Sequence, residues 1–498
     1  MSAVLTESDT PSDQCLACCR RLADWLSPVT RIRMVSSPTW LSAGHGSDCP
    51  LKSLAMDGIA GQNDEHQQPI RPVTQPPGQP LDALVYWGTT QARDLLVLLG
   101  QAYRDLKPEG RLLLLDRFDV QRSAHHPMGY QLLSSVLAVT ARAGFRVIHN
   151  ETISLSDVAP AGDALPPLRL LVFVRDAVPR WRVTYQESER FTEVCDLFQR
   201  AFGHALSEHL WQWKYSGGRG QGALTVSEDQ VFGHYGVLTR PILYFGQPER
   251  AAQVADVMVD PRARGVLTRR GPFFLAAASM PEVCSGYGSK HLIGFGFPND
   301  RAYRVAERLG LYAEVDRITE VQWSALVSSP ARLRTKPLEQ FSNERAETLV
   351  GILWSAMAAD LRETIVGVRD FKWLQYRYMH HPEYRYQVLV VSRGWWRSQH
   401  LGVVVIRLHE DQAELMDLVG PISHFPRLID TARYAAAKAG KPSLFTWATQ
   451  RLVSCLAHGE PVLKPTDIRI PTSVWTPAPE PEVLRGRWWL MSGDTDFR

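Results

Sequence analysis

The chain has 498 residues, which is too long for one compact core and predicts roughly three domains at about 100 to 200 residues each. Its 55 Lys and Arg residues nearly balance its 52 Asp and Glu residues, which argues against a nucleic-acid partner and favours a small or neutral one. No apolar run approaches the roughly 18 residues that span a bilayer, and the N-terminus opens with acidic and polar residues, so we expect a cytoplasmic protein without membrane insertion.

The cysteines are seven in number and thinly spread, which argues against a disulfide framework and predicts reduced thiols. The segment CLACC, with Cys15, Cys18 and Cys19, together with His45 and Cys49, has residue types that bind zinc. It lacks a second paired knuckle at a recognised spacing, and small residues on a helix before RRLADWL are the favoured interpretation. No metal is therefore expected.

A proline-rich linker is predicted at residues 67–80, because prolines deny backbone donors to helix and sheet alike. After it come a buried strand LDALVYWG, an amphipathic helix ARDLLVLLGQAYRDL and a second buried strand GRLLLLDRF. A further helix, GYQLLSSVLAVTARAG, precedes the strands FRVIHNETIS and LRLLVFVRD. This alternation predicts an α/β sheet.

The segments LDALVYWG, AYRDLKPEGRLLLLD and ARAGFRVI resemble the C-terminal half of a class I methyltransferase, with Glu109 in place of the first glycine of an LKPGG-like turn. That resemblance implies a Rossmann-like sheet. The glycine-rich loop that grips S-adenosylmethionine is missing, since the candidate first strand TRIRMVSS is followed by PTWLSAGHG. Residues 1–178 are therefore expected to form a degenerate methyltransferase-like domain that does not bind this cofactor.

Two further units follow, and they share a pattern. The first runs from about Trp181 through the helix FTEVCDLFQRAFG and a meander of strands to LYAEVDRITEVQW. The second opens with ETLVGILWSAMAADL and ends with SLFTWAT. Both carry Trp, a basic residue and Tyr just before their first strand, in HLWQWKYSGG and FKWLQYRYMHHPEYRY, which suggests a duplicated fold.

A possible anion site lies after the strand AAQVADVMVD, where Arg262, Arg264 and Gly265 are expected to stand directly before a helix. Backbone N–H groups at a helix start, a glycine that permits close approach and nearby arginines are what a pyrophosphate needs. A surface turn with incidental arginines remains the alternative.

The order of strand, VDPRARG loop, helix, strand, PND, helix and LGL resembles the core of the GNAT acyltransferase superfamily. Arg262 and Gly265 match its R-x-x-G pattern, whereas Leu267 stands at the final small position. Downstream, Asn299 begins the matching helix segment and Gly310 ends it. Over residues 181–498 the chain is similar to bacterial tandem-GNAT proteins.

The resemblance implies an acyl-CoA co-substrate, acetyl-CoA or another acyl-CoA, bound within residues 254–311. The residues expected to bind it are Val257, Met258, Val259, Arg262, Arg264, Gly265, Val266 and Asn299. The tyrosine that often protonates the leaving thiolate is replaced by Ala306, and Tyr303 one turn earlier is the candidate substitute.

Candidate residues for the acceptor side come from the same unit. Asp256, on the strand beside the expected thioester, could take the acceptor's proton, or could instead pair with Arg262 or Arg264. His234 is the alternative base, because a neutral imidazole accepts a proton near neutral pH. The aromatic residues expected to line the acceptor site are Trp213, Tyr215 and Tyr235.

The sequence therefore predicts an α/β (α+β) protein with a Rossmann-like methyltransferase-type sheet followed by two GNAT-like mixed-sheet domains. The predicted bounds are 1–178, 179–327 for the acyl-CoA domain, 344–472 for a second domain that is not expected to be catalytic, and 473–498 for a tail. The second domain offers Gly420 but no R-x-x-G. The predicted activity is N-acylation of a small amine, an amino sugar or a secondary metabolite; a non-catalytic scaffold that binds a partner is the alternative. The oligomeric state stays open.

Overall fold

The computed structural model describes residues 18, 21–22, 24–26, 32–36, 80–88, 94–123, 130–153, 166–177, 179–187, 190–228, 230–330, 333–394, 399–495 and 497. The zinc-type residues other than Cys18, and the proline-rich stretch before Pro80, lie outside these ranges. The chain divides into two compact units, residues 1–187 with 223–232 and residues 188–222 with 233–498. Within the described part, no helix is long and apolar enough to cross a membrane.

The first unit is built on a mixed sheet with the strand order β1-β2-β3-β5-β4, in which β1, β2 and β3 are parallel and β5 is antiparallel to both β3 and β4. Its elements are β1 (Ile32–Ser36), β2 (Leu81–Trp87), α1 (Leu95–Asp105), β3 (Leu106–Arg117), α2 (Leu133–Arg142), β4 (Phe145–Thr152) and β5 (Leu168–Arg175). In β3 the run Leu112 to Leu115 is fully buried, as expected of a central strand covered on both faces. A short strand β6 (Arg182–Tyr185) pairs with β7 (Gly220–Ser227).

The second unit begins with the elements that build the candidate site. They are α3 (Phe191–Phe202), α4 (Glu208–Tyr215), β8 (Gln230–Tyr244), β9 (Gln247–Val259), α5 (Pro272–Cys284), β10 (Ile293–Phe295) and α6 (Asp300–Arg308). The strands β8 and β9 form a long antiparallel hairpin, closed at Phe245 and Gly246, both of which have positive φ. β10 adds to β9 in parallel.

The remaining elements are β11 (Tyr312–Ser324), β12 (Leu333–Pro337), α7 (Asn343–Asp360), β13 (Ile365–Gly367), α8 (Phe371–Leu374), β14 (Gln387–Arg393), β15 (Gln399–Leu408), β16 (Ala413–Val419), α9 (Phe425–Lys438), β17 (Ser443–Thr449), α10 (Gln450–Cys455), β18 (Val462–Ser473), α11 (Pro481–Leu484) and β19 (Trp488–Trp489). Seven of these strands make a sheet with the order β12-β14-β15-β16-β17-β11-β18. Its buried residues include Val404, Ile406 and Leu415.

The second unit has two halves: the first contains the elements from α3 to α6, and the second contains the elements from β12 to α10. The two halves exchange strands. β11, which directly follows the first half, lies between β17 and β18 of the other sheet, whereas β13 and β19 extend the sheet of the first half in the order β10-β9-β8-β13-β19. All three sheets are mixed, which confirms the predicted mixed α/β class. The Rossmann-like character of the N-terminal region and the domain bounds stay predictions.

Candidate functional site

The site lies where the parallel strands β9 and β10 separate. Their register runs from the pair Ala251 and Ile293 to the pair Gln253 and Phe295, where β10 ends while β9 continues to Val259. Beyond Phe295 a Cβ on Gly296 would lie 3.2 Å from the Cβ of Val254, so the two segments stay close only at the start of the gap. The edge of β9 that is no longer paired with β10 therefore begins at Val254.

A β-bulge in β9 lies on this edge. The pairing of β8 and β9 shifts between His234 and Gly236, and Asp256 in the bulge has φ 48°. Asp tolerates this left-handed conformation better than most residues, yet it is a strained one, and such strain persists only where the surroundings hold it. Neighbouring side chains hold Asp256 in this way.

Three groups fix Asp256. Lys214 Nζ donates to its carboxylate at 2.9 Å and the Tyr215 hydroxyl at 2.8 Å, while His234 Nδ1 lies 2.6 Å from its backbone oxygen. The Lys214 and Asp256 side chains are only 3% and 7% exposed. The cluster is therefore a buried ion pair in which each carboxylate oxygen accepts one hydrogen bond, the kind of arrangement in which a buried pair is tolerated.

The charges of the cluster follow from these contacts. Burial raises the pKa of Asp256, but the Lys214 ammonium outweighs it, so this pKa is held below its ordinary value and the carboxylate is ionised. Burial lowers the pKa of His234, so its ring is neutral near pH 7. Because a backbone oxygen only accepts, Nδ1 carries the proton and Nε2 has the lone pair.

Local sequence explains why α4 supplies two of these groups. Ser207 caps α4 by accepting from the N–H of Leu210, and the helix places Trp211 one turn before Lys214 and Tyr215. Gly236 is needed opposite them, because a Cβ there would collide with the Tyr215 hydroxyl. Sequence reasoning missed Lys214; its place on the same helical face as Trp211 was the available signal.

The loop after β9 differs from the prediction. A 3₁₀ turn, Pro261–Ala263, follows the strand, and the α-helix begins only at Pro272, so the expected helix start directly after Gly265 is wrong. A Cβ on Gly265 would meet open space, whereas one on Gly271 would collide with the Val266 oxygen. Gly271 is therefore the glycine that the loop requires.

Both predicted arginines are engaged with protein atoms. Arg262 binds the Asp260 carboxylate through Nε and a terminal nitrogen, each at 2.9 Å. Arg264 binds the backbone oxygens of Val259, at 3.1 Å, and Ala201, at 2.9 Å. Their contacts shape the loop. Val266 takes part in the same turn, because its N–H donates to the Ala263 oxygen at 3.1 Å.

Other cationic groups stand at the actual helix start. Arg269 and Arg270 directly precede Gly271, which is the N-cap of α5, and Pro272 occupies its first turn. The guanidinium of Arg269 lies 5.5 Å from the Trp475 ring centre. Sequence reasoning passed over these two arginines, although the run TRRGP, with proline at the first helical position, was the available signal.

The other predicted donor-side residues have structural contacts. Met258 is buried and pairs with His234, while Val257 lies in the bulge and is partly exposed. Asn299 caps α6, accepting from the N–H of Ala302 at 2.9 Å. Tyr303 is buried and donates to Glu307 at 3.0 Å; burial, followed by this carboxylate, raises its pKa to about 12.

The three predicted acceptor residues are not brought together. Tyr215 belongs to the Asp256 cluster. Trp213 stacks on Tyr376 at 4.6 Å and donates from Nε1 to the backbone oxygen of Tyr376 at 3.0 Å. Tyr235 instead meets Tyr312, with 2.5 Å between the two hydroxyl oxygens.

In the sheet with the order β12-β14-β15-β16-β17-β11-β18, two parallel strands also separate, but the C-terminal tail after β18 occupies the gap between them. β16 and β17 pair only at Ala413 with Leu444 and at Glu414 with Phe445. The tail contacts both strands beyond this point: Ser492 Oγ accepts from the N–H of Trp447 at 2.9 Å, and Gly493 lies against the Met416 oxygen.

A buried ionic network anchors that tail. The Asp494 carboxylate binds Arg240 at 3.2 Å and Arg369 at 2.6 Å, and Arg369 also binds Asp417 at 2.7 Å. These side chains are at most 2% exposed. Neither this network nor any other part of the described ranges contains a group of three or more His, Cys, Asp or Glu side chains that could hold a metal ion.

Comparison with known proteins gives one family match. Residues 182–271 match the family described as acetyltransferase (GNAT) domain, which confirms the predicted resemblance for this part of the chain. No curated protein matches the sequence. The methyltransferase resemblance of the N-terminal region stays a prediction.

Several solved structures are similar to the chain. One is a conserved protein of unknown function from Enterococcus faecalis, a probable N-acyltransferase, with 12% identity, 58% of this chain and 71% of that chain covered, and a TM-score of 0.45. A GCN5-related N-acetyltransferase from Kribbella flavida has 14% identity, coverages of 59% and 70%, and a TM-score of 0.42. Another from Anabaena variabilis has 12% identity, coverages of 60% and 73%, and a TM-score of 0.44.

Proposed function

The chain carries a GNAT-type acyltransferase domain within residues 182–271, and we propose that it transfers an acyl group from acyl-CoA to a small amine, such as an amino sugar or a secondary metabolite. The observation that supports this most is Asp256, a strained and ionised residue in a bulge of β9, beyond the point where β9 stops pairing with β10. The matched residues include the whole cluster that holds it.

The donor is proposed to enter the gap where β10 ends. Its thioester would lie beside Asp256 and Val257, where an N–H of the kinked strand can stabilise the oxyanion of the tetrahedral intermediate. Its phosphates would meet the start of α5, where the first N–H groups of a helix have no partner within the helix. Arg269 and Arg270 would add positive charge there.

The acceptor is proposed to meet Asp256. The ionised carboxylate attracts a cationic amine and can take its proton, directly or through water. We favour it over His234, because the His234 residue is only 1% exposed and its ring is bound to the Asp256 backbone oxygen. His234 then acts as a positioning residue that holds the bulge. Tyr303 stays the candidate that protonates the thiolate, which requires its hydroxyl to leave Glu307.

The second half is proposed to be non-catalytic. Its parted strands contact residues of the tail, so a CoA thioester would have to displace Ser492 and Gly493 to enter. The half instead contributes to the acceptor side, because Tyr376 stacks on Trp213.

Titration calorimetry of the full chain with acetyl-CoA tests the donor, and release of the CoA thiol with a panel of small amines and matched alcohols tests the reaction. Asp256→Asn should bind acetyl-CoA normally and lose turnover. Asp411→Asn, a change in the exposed turn between β15 and β16, is the matched control and should keep turnover. The scaffold alternative predicts no saturable binding of acetyl-CoA, and that result would refute the proposal.

A further inference from the structure

A small cavity lies beside the point where β9 and β10 part. Its apolar wall includes Val237, Ala252, Val254 and Phe295. Its volume of about 20 Å³ is enough for about one water-sized group. Val254 is the first residue of β9 beyond its last pair with β10, so a chain that enters the gap between the strands reaches this cavity.

The far wall of the cavity includes three residues that carry a hydroxyl group, Tyr235, Tyr312 and Thr472, within a lining that is mostly apolar. The two tyrosine hydroxyls satisfy each other. Thr472 Oγ1 is buried and has no hydrogen-bond partner among the described residues, and the whole residue is only 1% exposed. Leaving a buried hydroxyl unpaired destabilises a protein, so such a group calls for a partner. A polar atom of whatever fills the cavity would supply that partner.

The distance from the reacting carbonyl sets the length of the occupant. A strand rises about 3.3 Å per residue, so Val254 lies roughly 7 Å along β9 from Asp256. A C–C bond of about 1.5 Å advances an extended chain by about 1.3 Å, so an acyl chain of roughly six to seven carbons covers this distance. An acetyl group is too short to reach the cavity, and a long fatty chain exceeds its volume.

We propose that the cavity receives the far end of a donor acyl chain of about six to seven carbons that carries a hydroxyl or carbonyl oxygen, with Thr472 as its hydrogen-bond partner. This rests on the proposed function, since it places the thioester beside Asp256. The donor of this protein is therefore a short, oxygenated acyl-CoA, and its preferred acyl group is longer than acetyl.

The test uses the full chain and calorimetry with CoA, acetyl-CoA, hexanoyl-CoA, 6-hydroxyhexanoyl-CoA and palmitoyl-CoA. Hexanoyl-CoA should bind about ten-fold tighter than acetyl-CoA, the scale of added methylenes in an apolar pocket. The 6-hydroxyhexanoyl thioester should bind tighter still, and the palmitoyl chain should add nothing over CoA. Equal affinities for the acetyl, hexanoyl and hydroxyhexanoyl thioesters would overturn the proposal.

Two variants locate the effect in the cavity. Gly294→Ala adds a methyl group whose nearest neighbour is the Ala252 oxygen at 3.7 Å, so the protein should fold while hexanoyl-CoA falls to the affinity of acetyl-CoA. Thr472→Val should abolish the preference for the hydroxylated chain alone. The matched control is Gly351→Ala in α7, where the added methyl meets nothing within 4 Å and no affinity should change.

The outcomes separate the two proposals. If no thioester binds the folded wild-type chain, the proposed function fails and this inference falls with it. If the thioesters bind but Gly294→Ala leaves the order of affinities unchanged, the proposed function stands and the cavity does not select the donor.

Discussion

Replacing Lys214 by methionine should expose how strongly the Asp256 cluster depends on one buried cation. Methionine keeps most of the aliphatic length of lysine and removes the ammonium that lies 2.9 Å from the Asp256 carboxylate. The carboxylate would keep the Tyr215 hydroxyl as its other partner, 2.8 Å away. A buried charge would thus lose its counter-charge while its surroundings stay closed.

The expected magnitude is large. Removing one partner of a buried ion pair costs about 3 to 5 kcal/mol, because the other charge stays buried without compensation. Without Lys214, burial should dominate and raise the pKa of Asp256 above its ordinary value. An acid whose folded-state pKa is raised binds its proton more tightly when folded, so the destabilisation should grow as the pH rises and shrink as the pH falls below that raised pKa.

Native-state hydrogen exchange of the β9 amides measures the free energy of opening of this strand, which avoids treating a chain of several units as one transition. The matched control is Lys464→Met. Lys464 lies 3.5 Å from Glu320 in a pair whose side chains are 50% and 25% exposed, and such a pair contributes about 0 to 1 kcal/mol.

A second variant separates charge from packing. In the double variant of Lys214→Met with Asp256→Asn no unpaired charge remains, so part of the lost stability should return and the two single effects should not add. If Lys214→Met costs no more stability than Lys464→Met at pH 7.5, or if the effects of Lys214→Met and Asp256→Asn are additive, the buried pair does not hold the bulge.

Three further predictions follow from other parts of the second unit. Burial raises the pKa of Asp316 to about 6, so the folded state favours its protonated form. Asp316→Asn should therefore stabilise the protein by up to about 3 kcal/mol at pH 8 and by little at pH 4. An equal effect at both pH values in urea denaturation would contradict this prediction. A Cβ on Gly493 would collide with the Tyr378 hydroxyl, so Gly493→Val should cost about 1 to 3 kcal/mol or more; a thermal midpoint no lower than wild type would show that the tail is loosely held. Arg269→Ala with Arg270→Ala should weaken CoA by about 1 to 3 kcal/mol in calorimetry, whereas unchanged affinity would place the phosphates elsewhere.

Hydrophobic patterns along the chain determined the elements and the mixed α/β class. Buried runs such as GRLLLLDRF became strands, and local chemistry fixed the ends of short elements, as where Asn299 caps α6. These features depend on neighbours within a few residues, which a sequence shows directly. The same is true of the part of the GNAT resemblance carried by Arg262 and Gly265, which lie three positions apart within the matched segment 182–271.

The site depends on contacts between residues far apart in the sequence, which form only when the chain has folded. Lys214 and Asp256 are 42 positions apart, so nothing local distinguished Lys214 from Arg262 or Arg264 as the partner of that carboxylate. The latter two bind loop atoms instead, and the helix start moves to Pro272.

The exchange of strands and the insertion of the tail have the same origin. β11 joins the sheet of the second half, and Asp494 binds Arg240 across 254 positions of sequence. The residue pattern of an apolar strand is equally compatible with burial in either sheet. Which sheet it joins is decided by where unpaired backbone edges and buried charges find partners, and that is a property of the assembled fold.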